Sequence, residues 1–204
     1  MADPIEAVVF DVGRVLVQWE MRALFVKLID DEEALEYFLG NVLPESWHFQ
    51  HDSGRPIAEM VAERKADFPE HAHLIEAYAE RFLETLPGPV AGTHDLVRRL
   101  DERGIPLFAI TNFGADFWAM FRPTTPVLDR FRDIVVSGQE RLVKPDPAIY
   151  RLAARRFGFP PERMLFIDDN QDNVAAARLE GWHAHHFTDA AALEAELISL
   201  GLLV

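Results

Sequence analysis

Cysteine is missing from all 204 residues, which excludes disulfides, thiolate zinc sites and a thiol nucleophile. Covalent catalysis by this chain would therefore have to use oxygen or nitrogen. Cations are also scarce: 20 Lys and Arg stand against 34 Asp and Glu, a formal net charge of -14. That balance argues against non-specific nucleic-acid binding, which depends on clustered Lys and Arg displacing counterions. An anionic small substrate stays open, because its pocket needs only a metal ion and one or two cations. No apolar run approaches membrane-span length, and the start, Met1-Ala2-Asp3-Pro4-Ile5-Glu6, has neither a basic segment nor an apolar one of signal-peptide type. The expected setting is the cytoplasm, without a membrane partner. Internal repeats and low-complexity tracts are absent too. What remains, 49% hydrophobic and 26% charged, describes a globular chain with one core and room for a small second lobe.

The stretch Ala7-Val8-Val9-Phe10-Asp11-Val12-Gly13 is the organising element. A β-rich apolar run that reaches an aspartate and then a glycine reads as a buried parallel strand ending on a carboxylate. Taken alone, Asp11 reads more simply as the opening of a turn. Three further strands change that reading, because each ends on or near a reactive residue type. Leu107 to Ile110 leads to Thr111-Asn112, Ile134 to Val136 precedes Lys144, and Met164 to Ile167 leads to Asp168-Asp169-Asn170. In open α/β sheets ligands sit beyond the carboxyl ends of the strands. The four ends would thus collect a carboxylate nucleophile, a hydroxyl and an amide, a cation and an acidic pair. Carboxylates so placed are the hard-oxygen ligand set that Mg2+ prefers.

Between the first strand and Pro89 the periodicity is helical. Leu24, Phe25, Leu28 and Ile29, then Leu35, Phe38 and Leu39, then runs over 60–66 and 74–86, are separated by the polar and aromatic cluster from Trp47 to Gly54. From Pro89 strands alternate with helices, with Thr93 as N-cap of a helix over 94–103 and a fifth strand over 182–187. The expected fold is α/β: a Rossmann-like parallel sheet with helices on both faces (residues 1–16 and 89–204) and a small all-helical cap (17–88) inserted after the first strand.

The segments Phe10-Asp11-Val12-Gly13-Arg14-Val15-Leu16, Ile110-Thr111-Asn112, Val143-Lys144-Pro145-Asp146-Pro147 and Phe166-Ile167-Asp168-Asp169-Asn170 resemble, in order, the four motifs of the haloacid dehalogenase-like hydrolases. The resemblance implies Asp11 as nucleophile, Thr111 and Asn112 holding phosphoryl oxygens, and Lys144 neutralising charge. It also implies Mg2+ held by Asp11, the Gly13 carbonyl, Asp168 and Asp169, with Asp169 the better placed of the acidic pair for direct contact. The activity implied is a phosphatase acting on a small phosphorylated metabolite through an aspartyl-phosphate. Phosphatases of this kind usually carry a second aspartate two residues after the nucleophile; this chain has Gly13 there. The pattern from Asp11, with the downstream Gln50-His51-Asp52-Ser53-Gly54, also looks like the sugar-1-phosphate phosphatase branch, so a sugar phosphate is a natural candidate substrate. The alternatives are 2-haloacid dehalogenation, which needs no acid but is opposed by Asp168-Asp169, and a catalytically weakened binding module. A phosphomutase fits least, since returning the phosphoryl group demands the absent acid and base. His48, Gln50 and His51 are the expected substrate-reading residues of the cap. Trp19, Trp47 and Trp118 are expected to pack, and the His183-Ala184-His185-His186 run to cap or face solvent.

Overall fold

The computed structural model describes residues 4–204. Five strands, β1 (Ala7–Phe10), β2 (Leu107–Thr111), β3 (Asp133–Val136), β4 (Met164–Asp168) and β5 (His183–His186), form one parallel sheet in the order β3-β2-β1-β4-β5. β1 lies at the centre, with Val9 registered against Phe108 on one side and Phe166 on the other. All four residues of β1 are buried, which is why it reads as a continuous apolar run and not as an alternation. The chain leaves β1 towards β2 and β3, then crosses back to β4 and β5 on the other side. The carboxyl ends of β1 and β4 therefore flank the switch point, where an open α/β sheet forms its crevice.

One sheet face, with Val8, Phe10, Ala109 and Ile167, packs on Leu96, Val97 and Leu100 of the helix Thr93–Glu102 and on Leu193 and Leu197 of Ala190–Ser199. The other face, with Val9, Phe108 and Phe166, is covered by Ile149, Tyr150 and Ala153 of Pro147–Phe157 and by Ala177 of Gln171–Leu179. The expected doubly covered α/β sheet is thus present. Thr93 differs from expectation: Gly92, at φ 83°, is the N-cap, while Thr93 is the first helical residue and its Oγ1 donates to the Val90 carbonyl. A left-handed entry suits glycine and removes the need for a threonine cap.

Between β1 and the core helix Thr93–Glu102, every helix lies within residues 21–85. Phe25, Phe38, Tyr78 and Phe82 from this segment join the apolar cluster of the first sheet face. Its two ends are bonded to each other, Gln18 N–H to the Gly88 carbonyl and Val90 N–H to that of Leu16. The polar and aromatic cluster expected around Trp47 is a helix, Glu45–Asp52. Trp47, His48, His51 and Asp52 form its buried face, a helical spacing carried mostly by polar residues. No helix is long and apolar enough to cross a membrane among the described residues.

Candidate active site

Asp11 follows β1, and its Oδ1 accepts from the Val12 N–H at 2.6 Å and lies 2.9 Å from Lys144 Nζ, so that oxygen is fixed and Oδ2 is left to react. Lys144, only 1% exposed, also binds Asp168 Oδ2 at 2.7 Å. Asn112 holds this lysine in place: its Nδ2 donates to the Lys144 carbonyl and its Oδ1 accepts the Lys144 N–H, both at 2.9 Å. The Asn112 amide is thus committed first to positioning Lys144, not to a phosphoryl oxygen. Thr111, the last residue of β2, is buried and its Oγ1 has no hydrogen-bond partner. A buried hydroxyl without a partner is costly, which makes it a donor waiting for a ligand.

Asp168 closes β4 and is saturated, accepting from the Asn170 N–H, Asn173 Nδ2 and Lys144. Asp169 is only partly buried and lines the cleft. Asn170 caps the next helix, its Oδ1 accepting the Asp172 N–H. Asp11, Asp168 and Asp169 each offer a carboxylate oxygen within 4.8 Å of the others. Burial holds the Asp11 carboxyl well above the usual carboxylate range, Lys144 opposing and Asp168 and Asp169 adding. Burial, with Asp168 adding, likewise raises Asp169. One buried lysine against three carboxylates leaves an excess of negative charge that a hard divalent cation would neutralise, and the all-oxygen donor set suits Mg2+. The Gly13 carbonyl beside it is uncommitted, because the bonds of the Gly13–Val17 bridge come from Val12 and Arg14.

The cleft over Asp11, about 150 Å3, is lined among others by Gly13, Trp19, His48, Asp52, Phe82 and Asp169. Of the three expected substrate readers it includes one, His48. Gln50 sits on the outer face of its helix, exposed and bonded to Arg55, because residues two positions apart on a helix point to different sides. His51 is buried beside the cleft: its Nδ1 donates to the Arg55 carbonyl at 2.7 Å and its ring stands edge-on to Phe117. Trp47 and Trp118 pack as expected, whereas Trp19 lines the cleft, its ring tilted by 30° against that of His48 at 4.8 Å. In the histidine run, His186 Nε2 donates to the Asp169 carbonyl at 2.9 Å, bracing the acidic loop from β5.

A protein-family model of haloacid dehalogenase-like hydrolases matches residues 5–181. The chain belongs to this family. A sesquiterpene phosphatase of Aspergillus oryzae is 26% identical over 98% of this chain and 98% of its own length. An (S)-2-haloacid dehalogenase of Pseudomonas putida is 37% identical, over 44% of this chain and 39% of its own. Among solved structures, a HAD-family enzyme of Bacteroides thetaiotaomicron, crystallised with magnesium and inorganic phosphate, superposes at TM-score 0.68 with 20% identity, covering 91% of this chain and 95% of that one.

For a haloacid dehalogenase-like hydrolase, two residues of the site went unread in the sequence. Asn173 steadies Asp168 from the first turn of its helix, and its only trace is a polar residue beside buried Val174 on an inward face. Asp52 brings a third carboxyl to the cleft, from the insert. Burial, opposed by the Gly114 backbone amide and Lys144, raises this carboxyl from its ordinary 3.8 to about 7. Its neighbour His48 is pushed by burial down to about 3 and is neutral, and its Nδ1 is hydrogen-bonded to the Tyr78 hydroxyl at 2.6 Å.

Proposed function

We propose that this hydrolase is a Mg2+-dependent phosphatase that cleaves a small phosphomonoester, a sugar phosphate among the candidates, through an aspartyl-phosphate on Asp11. The observation that carries the reading is the carboxylate cluster of Asp11, Asp168 and Asp169 with Lys144 bound into it. Asp11, the Gly13 carbonyl and Asp169 would hold the ion directly, with Asp168 anchored beside them. When bound, the ion supplies positive charge that lets a phosphate dianion approach the carboxylates. Asp11 Oδ2 attacks phosphorus while Lys144 fixes Oδ1, and Thr111 Oγ1 donates to a phosphoryl oxygen. Water then hydrolyses the acyl phosphate.

Residues 17–88 act as a lid on a core made of 1–16 and 89–204, with the paired segments around Val17 and Pro89 as the hinge. A second cavity of about 700 Å3 shares Arg14 and Trp19 with the cleft and gives a leaving group room beyond the phosphate. The dehalogenase relatives and the absent acid at residue 13 favour haloacid chemistry, but one lysine within three carboxylates offers a haloacid's own carboxylate no net attraction.

The test is a screen of sugar phosphates, acyl phosphates, nucleotides and a sesquiterpenyl monophosphate, with Mg2+ and with excess chelator, and chloroacetate as the dehalogenase control. Phosphate release is expected only with Mg2+, and Asp11→Asn abolishes it. Undiminished turnover in that variant or in chelator, or chloride release instead, overturns the reading.

A further inference from the structure

A phosphatase that expels an ordinary alkoxide needs a proton donor, and Gly13 has no side chain to give one. The ionisable side chains lining the cleft are Asp11, Arg14, His48, Asp52 and Asp169. Asp11 is the attacking group, Asp169 belongs to the acidic cluster, an arginine does not release its proton, and His48 is neutral with Nδ1 occupied by Tyr78. Asp52 is left.

Its placement suits the task. Asp52 is 6% exposed and ends the helix Glu45–Asp52 above the cleft. Its Oδ1 is buried without a hydrogen-bond partner, with His48 Nε2 3.4 Å away. Its backbone is pinned to the core, because Ser137 Oγ donates to the Asp52 carbonyl at 2.6 Å while accepting the Phe113 N–H at 2.9 Å. Phe113 directly follows Thr111-Asn112, so one short relay ties Asp52 to the residues that hold the nucleophile's surroundings. A phosphoryl group seated on Asp11 would share this cleft of about 150 Å3 with Asp52, Trp19 and Phe82, which keeps its leaving oxygen within the same small space as the Asp52 carboxyl.

We propose that Asp52, reaching in from the helical insert, is the general acid and base that stands in for the carboxylate missing at Gly13. This rests on the phosphatase reading. In the first half-reaction the Asp11–phosphorus bond forms, the bond from phosphorus to the leaving oxygen breaks with its electron pair on that oxygen, and the Asp52 carboxyl proton moves to it. In the second, water oxygen bonds to phosphorus and yields a proton to the Asp52 carboxylate. The Asp11–phosphorus bond breaks with its pair returning to Asp11, and phosphate leaves. The apolar walls keep the carboxyl protonated near neutrality, the range in which one group serves both halves. The charged and titratable groups facing it are His48, His51 and Tyr78 on the insert and Arg14, Lys144, Asp11 and Asp169 on the core.

The experiment is Asp52→Asn, which keeps an acceptor for the Gly114 amide but carries no transferable proton. Values of kcat/KM are measured with Mg2+ for the best alkyl or sugar phosphate from the screen and for 4-nitrophenyl phosphate, whose leaving group needs no proton. The alkyl substrate is expected to lose at least about 10²-fold and the aryl one under about 10-fold. The wild-type alkyl profile should also fall on the alkaline side with a limb that the variant lacks. Equal losses on both substrates with an unchanged pH profile would mean that Asp52 only seats the insert, and no loss on either would remove it from the reaction. Wild-type protein that releases phosphate from neither substrate would sink the phosphatase reading itself.

Discussion

Gly114→Ala tests how the insert is seated on the core. At φ -64° and ψ 141° the backbone of Gly114 accepts any residue, so the substitution is not opposed by conformation. It is opposed by space: an added methyl would overlap His51 Cδ2 and Nε2 and lie 2.5 Å from Cγ. The His51 ring is buried, bonded to the Arg55 carbonyl and set edge-on against Phe117 at 4.7 Å, so it cannot swing aside without losing both contacts. Overpacking costs about 1–3 kcal/mol, and a lost hydrogen bond and aromatic contact add about 1 kcal/mol each. The expected destabilisation is therefore about 3–5 kcal/mol. The assay is urea unfolding of four proteins, wild type, Gly114→Ala, His51→Ala and the double variant. Because His51→Ala removes the atoms that clash, the double variant should be more stable than the sum of the singles predicts, by at least about 1 kcal/mol. Additivity within about 0.5 kcal/mol would refute the contact, and with it the close approach of insert and core at this loop.

Two other outcomes follow from the same geometry. Gly13 is outside the left-handed region and an added Cβ there meets nothing within 4 Å, so Gly13→Asp should fold; in the Asp52→Asn background it should restore at least about 10-fold of the lost alkyl-phosphate turnover, and in the wild type far less. A large gain in the wild type would mean that no proton donor exists there. Asp52 also sets a stability trend: its folded pKa of about 7 lies above the ordinary 3.8, so its contribution is complete below about pH 4 and is lost as pH rises towards 7. Relative to Asp52→Asn, the wild type should lose up to about 4 kcal/mol across that window at about 1.4 kcal/mol per pH unit, and a pH-independent difference in urea midpoints would refute the buried, protonated state.

Local sequence determined the sheet and the reactive strand ends. β1, β2 and β4 are buried on both faces, so each appears as an unbroken apolar run, and Asp11, Thr111 and Asp168 stand where those runs stop. Asp11, Thr111, Asp168 and Asp169 were all legible for that reason, since chain order alone brings parallel strand ends to one edge, whereas Lys144, set beyond the short helix that follows β3, was legible only through its motif. The opposite wall was not legible. The helix Glu45–Asp52 buries histidine and aspartate where a sequence pattern looks for leucine, so neither the helix nor the inward turn of Asp52 leaves an apolar period to read. Which of His48, Gln50, His51 and Asp52 meets the cleft depends on the rotation of that helix. The Asp52 carbonyl bonded to Ser137 and the His51 ring packed over Gly114 fix that rotation through contacts more than sixty residues apart in the chain, which only the folded structure brings together.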